Sequence, residues 1–448
     1  MTIKEYKLTE GSVLKNIIFL SLPMMLTLLL QDAFNLVDMY FVGNLGSSAT
    51  AAVSMSGIIV GLILTAVTGL SFGTLAMISR YVGEGNIEKA DNVVMQSFIL
   101  GLIITLIITP LGYIFAPQML ELLGASKEVV MQGTPYLRIT FGGSITIFLT
   151  VLMFSALRGA GDPISPMIIL LISTILNIIL DPIMIYGLFG FPRWGVAGSA
   201  AATIVARAIA MIMVLFVMIQ EKSIIKLRAR DFRFDFNIMK EIIRIGNPSS
   251  IELLILNLST LFLMKIVASF GTTAVAAYGI GMRLNMAVTI PTMGFGFAAA
   301  TLVGQNLGAR KPDRAEKSGW MCAGIGAIIM IILTIVFLIF SGNIVSVFND
   351  EFEVVEIGTQ FIKIMAPTFI FLGLGTTLGR GLNGAGDTVY PMIISIITML
   401  ALRIPLEWYM STRAGTAGIW KSLALTNAIY GIVITMWFKI GKWKEKEI

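Results

Sequence analysis

The sequence predicts an all-α polytopic membrane protein: twelve transmembrane helices in two six-helix lobes, related by a pseudo-two-fold axis along the membrane normal. Three observations carry this. The 448 residues are 56% apolar and only 13% charged, with a mean hydropathy of +0.88, whereas soluble domains carry about 25% charged residues. Apolar stretches of about 20 residues or more, the length that spans a bilayer, recur along the whole chain. The second half of the sequence also repeats the first.

Taken in order, the apolar stretches fall at roughly 14–41, 50–78, 93–115, 134–157, 164–187, 195–219, 242–269, 275–305, 319–341, 357–382, 389–411 and 416–440. The charged N-terminus runs into an apolar stretch that already contains Asp32 and Asp38. A cleavable signal peptide has a shorter, uninterrupted apolar core, so the first span is expected to be retained. Lys and Arg gather at both termini and in the connections containing Arg80 and Lys89, Lys222 to Lys240, and Arg310 to Lys317. The alternate connections are poor in them: 42–49 and 268–274 have none, and Asp350, Glu351 and Glu353 stand in another. Positive residues stay on the cytoplasmic side, which predicts a multi-pass protein of a cell (inner) membrane with both termini inside.

The polar break near 221–241 lies almost at the midpoint, giving an N-terminal lobe 1–220, an inter-lobe linker 221–241 and a C-terminal lobe 242–448. At an offset of 225 residues, Pro23 falls on Pro248, Gly46 on Gly271, Leu157-Arg-Gly-Ala-Gly-Asp162 on Leu382-Asn-Gly-Ala-Gly-Asp387, and Pro166 on Pro391. After a small gap, Gly195 falls on Gly415 and Gly198 on Gly418. Six spans per half give parallel repeats, an arrangement that recurs in alternating-access carriers.

Composition excludes several chemistries. Histidine is absent and Cys322 is the sole cysteine, so there is no His triad, His or Cys metal site or intrachain disulfide. Without HExxH or a cofactor motif, neither an enzyme nor a bound cofactor is expected. The basic residues cluster between apolar runs rather than on a polar domain, which argues against nucleic acid as a partner. The expected surroundings are the lipid bilayer and a small-molecule substrate, and one two-lobed chain suffices as a monomer.

Polar residues inside the spans carry the functional signal, because a carboxylate at a span centre costs roughly 2.5–3.5 kcal/mol on insertion scales. Asp38 and Asp181 are the leading cases. Gln31, Asn35 and Asp38 share one stripe of the first span, Thr174, Asn177 and Asp181 one stripe of the fifth, and Ser199 and Thr203 one face of the sixth. All three stripes are expected to turn inward at similar depth and form one pocket. Its oxygen-rich set suits a proton shared between carboxylates or a hard cation, and the sequence does not choose between H+ and Na+. With Na+, Asp38, Asn177 and Asp181 would be the metal ligands. At the same offset Asp38 falls on Leu263 and the Asn177-to-Pro182 segment on Arg403-Ile404-Pro405, so the carboxylate cluster is expected in one lobe only.

Other intramembrane charges have a structural reading. Lys265 and Glu407 are expected to pair at similar depth. Glu252 has two readings, a substrate or ion contact and a structural ion pair. Gln31, Asn35, Tyr136 and Glu252 are the candidate substrate-cavity residues. Pro23, one helical stretch from Asp38, is either a conformational hinge or a passive kink.

The chain resembles the multidrug and toxic compound extrusion (MATE) transporters over nearly its whole length. The likeness rests on Asn35-Leu-Val-Asp38 with Gly43 and Leu45-Gly46, Leu157-Arg-Gly-Ala-Gly-Asp162, Asn177-Ile-Ile-Leu-Asp181-Pro182 and Val303-Gly-Gln-Asn-Leu-Gly308. It implies two lobes around a central cavity and export of amphipathic, often cationic compounds in exchange for H+ or Na+. It also implies a cation site at Asp38, Asn177, Asp181 and either Ser199 or Thr203. The N-half carboxylates look closer to the DinF-like branch, and Glu252 looks like the acid of the other branch. The rival within the wider superfamily, a lipid or lipid-linked oligosaccharide flippase, should show a basic cavity instead of an acidic one.

Overall fold

The computed structural model describes residues 7–220, 223–227, 234–446 and 448; the remainder of the 221–241 linker and the first six residues lie outside them. The described chain is helical throughout, without a strand. The first half builds α1 (Val13–Gly43), α2 (Ser47–Gly83), α3 (Ile87–Ile114), a short α4 (Ala116–Leu122), α5 (Lys127–Gly142), α6 (Ser144–Gly159), α7 (Ile164–Tyr186) and α8 (Val196–Ile219). The second half builds α9 (Phe236–Ala268), α10 (Thr272–Gly308), α11 (Pro312–Ser346), α12 (Phe352–Met365), α13 (Phe369–Gly384), α14 (Val389–Ser395), a π-helical segment Ile396–Leu402 and α15 (Arg403–Ile440).

Local chemistry sets the helix ends. The Asn86 side chain accepts from Lys89 N at 3.1 Å and starts α3, and Ser126 accepts from Val129 N to start α5. Asp162 accepts from the amides of Ile164 and Ser165 at 3.1 and 3.0 Å, so the Gly-Ala-Gly-Asp segment is a tight turn that launches α7. The apolar faces left exposed, with Leu36 at 70% and Leu106 at 73%, are those a lipid environment tolerates.

Ten helical stretches are long and apolar enough to cross a membrane singly, and an eleventh crossing is α5 with α6, bent by 50°. The fourth span, expected as one helix, is therefore a broken pair. Its counterpart in the second half is broken as well, by the 3-10 turn Ala366–Thr368 around Pro367. The twelfth crossing comes from Val389–Ile440, 52 residues counted as one. That stretch would be ~78 Å long at 1.5 Å per residue, against about 30 Å of hydrocarbon. Helical geometry fails inside it at Ala414 and Gly415, which gives the twelve-span, two-lobe layout.

Gly415 has φ 57° and ψ −141° and Gly195 has φ 56° and ψ −129°, a left-handed conformation that an L side chain resists. Three residues later, a Cβ on Gly198 would strike the carbonyl of Met184, and one on Gly418 that of Met410. The two halves thus repeat the same turn and the same close approach of helices.

By compactness the described chain divides into one unit within Leu26–Arg244 and another comprising Lys7–Met25 and Ile245–Ile448. The division runs through α1 just past Pro23, where the helix continues unbroken. In the first unit, Val42, Ala49, Ala52, Val53, Val129, Ile185 and Val196 form a core beneath the ends of α1 and α7. The described part of the linker is tied to α3: Asp91 accepts from Lys226 N at 2.6 Å, and Asp235 N donates to Gln96 at 3.1 Å. In the second unit, Trp420 stacks on Tyr278 with centroids 5.7 Å apart and meets Phe361 edge-on at 4.9 Å.

Candidate functional site

In the first unit α1, α7 and α8 bring Asp38, Asn177, Asp181 and Thr203 into one cluster. The Asn177 side-chain amide donates to Asp38 Oδ1 at 3.1 Å and to Asp181 Oδ1 at 3.2 Å. Thr203 donates its hydroxyl to Asp38 Oδ2 at 3.0 Å. Asp38 is 8% exposed, and Asn177 and Asp181 are fully buried. The stripe spacing explains this: Asn177 and Asp181 lie four residues apart on α7, so one amide reaches its own neighbour and the acid across the interface.

The scaffold fixes these helices from both sides. Ser173 donates to the Ala206 carbonyl at 2.9 Å and joins α7 to α8. Tyr186, at the end of α7, donates to the Phe41 carbonyl at 2.7 Å and accepts from Asn44 at 3.2 Å, which pins α7 to α1. Spacing within one helix gave no sign of Tyr186, because its partners lie elsewhere, Phe41 near the end of α1 and Asn44 in the turn just beyond it.

Two buried oxygens in the cluster, Asn177 Oδ1 and Asp181 Oδ2, have no hydrogen-bond partner among the described residues, nor has Ser199 Oγ, one turn before Thr203 on α8. Together with two carboxylates they form an oxygen-only set, suited to a proton or a monovalent hard cation. No group of three or more His, Cys, Asp or Glu able to hold a metal occurs among the described residues.

The other candidates divide. Tyr136 is half-buried, packs on the core beside the cluster and lies within the electrostatic reach of Asp38 and Asp181. Gln31 is half-buried and Asn35 exposed; neither hydrogen-bonds to the cluster. Arg207 continues the Ser199–Thr203 face by one more turn of α8, holds its guanidinium 4.6 Å over the Phe34 ring and acts electrostatically on Asp38. It is missing from the residues expected at the site, although its i, i+4, i+8 spacing from Ser199 and Thr203 is a signal that could have found it.

Glu252, in the second unit, is 2% exposed with Arg380 Nη1 3.6 Å from its Oε2. The expected Lys265–Glu407 pair is absent among the described residues. Lys265 is exposed, and the positive charge acting on Glu407 is Arg403, one turn away on the same helix.

Comparison with known proteins follows the same duplication. The family model described as MatE matches residues 23–183 and again 248–409. The two matches start 225 residues apart and end 226 apart, so the second holds one extra residue. A probable multidrug resistance protein of Bacillus subtilis is 28% identical over 99% of this chain and 96% of its own. A Shewanella oneidensis protein named an FAD transporter is 27% identical, covering 94% and 93%. A solved outward-facing MATE family transporter of the MOP superfamily is 26% identical with a TM-score of 0.91, over 100% of both chains.

Proposed function

The chain belongs to the MatE family, and on that premise we propose that it is a secondary-active multidrug efflux antiporter, exporting amphipathic, often cationic organic compounds in exchange for H+ or Na+ by alternating access. The observation that supports the coupling reading most is the bridging of Asp38 and Asp181 by one Asn177 amide. A buried pair of acids sharing one neutral donor is a site whose charge changes when a cation enters or leaves. Asp38, Asn177, Asp181, Ser199 and Thr203 form the coupling site in this reading. With Na+, Asp38, Asn177 and Asp181 supply the ligands.

The coupling step needs no chemistry beyond ion exchange. The ion enters, neutralises charge at Asp38 and Asp181, and leaves on the opposite side, while the substrate moves the other way. Pro23 is the proposed hinge of α1, the helix that carries Asp38. Gln31, Asn35, Tyr136 and Glu252 are proposed to meet substrate, and for Glu252 the Arg380 contact favours the structural reading. We place the protein in the cell (inner) membrane with both termini cytoplasmic, on the distribution of Lys and Arg, and as a monomer because one two-lobed chain suffices. The acidic character of the cluster speaks against the flippase alternative.

The test is ethidium efflux from cells expressing wild type, Asp38→Asn or Asp181→Asn, matched for membrane expression. Loss of active efflux in both variants is expected; full efflux from both would sink the site assignment. The Shewanella relative makes FAD the substrate to assay beside ethidium.

A further inference from the structure

The two halves hold their register at an offset of 225 residues as far as Pro166 and Pro391. At the far end of the same span the offset is 226, because Gly198 packs on the carbonyl of Met184 and Gly418 on that of Met410. The π-helical segment Ile396–Leu402 lies between these points, and α7 has no equivalent. A π turn is a one-residue insertion in an α-helix, often kept at functional sites. Beyond it, Asn177 corresponds to Arg403 and Asp181 to Glu407. The paired-acid cluster is not repeated, but the C-terminal half does carry an acid at the Asp181 position, hidden from an ungapped comparison by the inserted residue.

The surroundings are those of a modified copy. Leu263 stands for Asp38 and Leu423 for Thr203, and both line a cavity of about 130 Å³ together with Arg403, Tyr278, Thr260 and Asn427. Glu407 is fully buried, and neither of its carboxyl oxygens has a hydrogen-bond partner among the described residues. Arg403 does not supply one. Its Nε donates to Thr426 at 3.0 Å, one terminal nitrogen to Ser259 at 3.5 Å and the other to Asn427. A structural ion pair would turn the guanidinium onto the carboxylate, because a buried carboxylate without donors is costly. The titratable groups acting on this region are Arg403 from the same helix and Tyr278 from α10. The charged residues of the neighbouring segments, Lys265, Arg283, Glu356, Lys363, Arg413 and Lys421, are exposed.

We propose that Glu407 is a second proton-binding carboxyl of the transport cycle, the C-terminal counterpart of Asp181, with Arg403 as its exchange partner. This rests on the antiporter reading above. With the proton on Glu407, an O–H bond neutralises the carboxyl and Arg403 stays on its three neutral acceptors, the arrangement observed. When the proton leaves to the opposite side of the membrane, the carboxylate takes the guanidinium from them, one turn along the helix. No other bond changes. One proton exchanged for a monocation is electroneutral; a second proton makes each cycle carry one net charge.

Two measurements test this. The first is the infrared difference spectrum, between mildly acidic and alkaline pH, of purified protein in lipid nanodiscs. Its carboxylic-acid C=O band should lose a component in Glu407→Gln and shift it in Glu407→Asp; identical bands in all three proteins overturn the proposal, whether or not the variants transport. The second is the equilibrium accumulation of ethidium in proteoliposomes under an imposed potential. Wild type should respond about 50-fold per 100 mV and Glu407→Gln not at all, and equal responses overturn it. Asp38→Asn run alongside separates the two failures. If Asp38→Asn is inactive while Glu407→Gln matches wild type in both measurements, only the second proton falls; full active transport in Asp38→Asn overturns the antiporter site itself.

Discussion

Replacing Thr203 by Val removes one hydrogen bond from the coupling site and almost no volume. The hydroxyl donates to Asp38 Oδ2 at 3.0 Å, and a hydrogen bond to a charged group contributes about 1.5–3 kcal/mol. Asp38 keeps the Asn177 amide at 3.1 Å, so the lower end applies, ~1.5 kcal/mol, which is about tenfold in the half-activating ion concentration. The direction identifies the ion. If the ion is a proton, the lost bond belonged to the charged, ion-free form, so Thr203→Val half-activates at about tenfold lower proton concentration. If the ion is Na+, the hydroxyl oxygen is a lost ligand, so Thr203→Val needs about tenfold more Na+. The assay is the initial rate of ethidium uptake into proteoliposomes across a series of external pH values and Na+ concentrations. An ion dependence unchanged in both series, with transport intact, would show that Asp38 does not carry the coupling ion.

Three further outcomes follow from the same geometry. Glu252→Gln breaks a buried ion pair with Arg380 and should lower stability by about 3–5 kcal/mol, seen as a lower unfolding temperature in detergent; unchanged melting with altered transport would move Glu252 into the substrate path. Gly198→Ala and Gly418→Ala each drive a Cβ into a backbone carbonyl and should cost about 1–3 kcal/mol or more, read as reduced yield and melting temperature; wild-type melting for both would contradict the shared close approach. Pro23→Ala should slow transport without unfolding the protein, and unchanged rate and coupling would remove the hinge.

Much of the fold was legible because hydropathy and span length act locally. Each apolar stretch found in the sequence is helical, and the Gly195 and Gly415 turns sit where the repeat placed them. The coupling cluster was legible for the same reason: acids, amide and hydroxyls at helical spacing on three spans could satisfy one another only by turning inward. What stayed hidden depends on one residue or on a distant partner. The bend between α5 and α6 leaves no break in hydropathy. The π segment adds a single residue, which is enough to lay Asp181 over the wrong side chain and conceal Glu407. Similar depth does not bring Lys265 and Glu407 together: Lys265 is exposed, and Arg403, four residues from Glu407, is the charge that acts on it. Tyr186 joins α7 to α1 through a backbone carbonyl, a partner no side-chain pattern announces.

The central claim is that ion binding at Asp38 and Asp181 drives uphill movement of an organic cation. Its most direct test is the steady-state ethidium ratio across proteoliposomes holding either a one-unit pH gradient or a tenfold Na+ gradient, at zero potential. Wild type should accumulate ethidium with one of the two gradients, about tenfold where one ion is exchanged and about 100-fold under the pH gradient where Glu407 carries a second proton, while Asp38→Asn and Asp181→Asn equilibrate without accumulating. Accumulation by both variants equal to that of wild type would contradict the account.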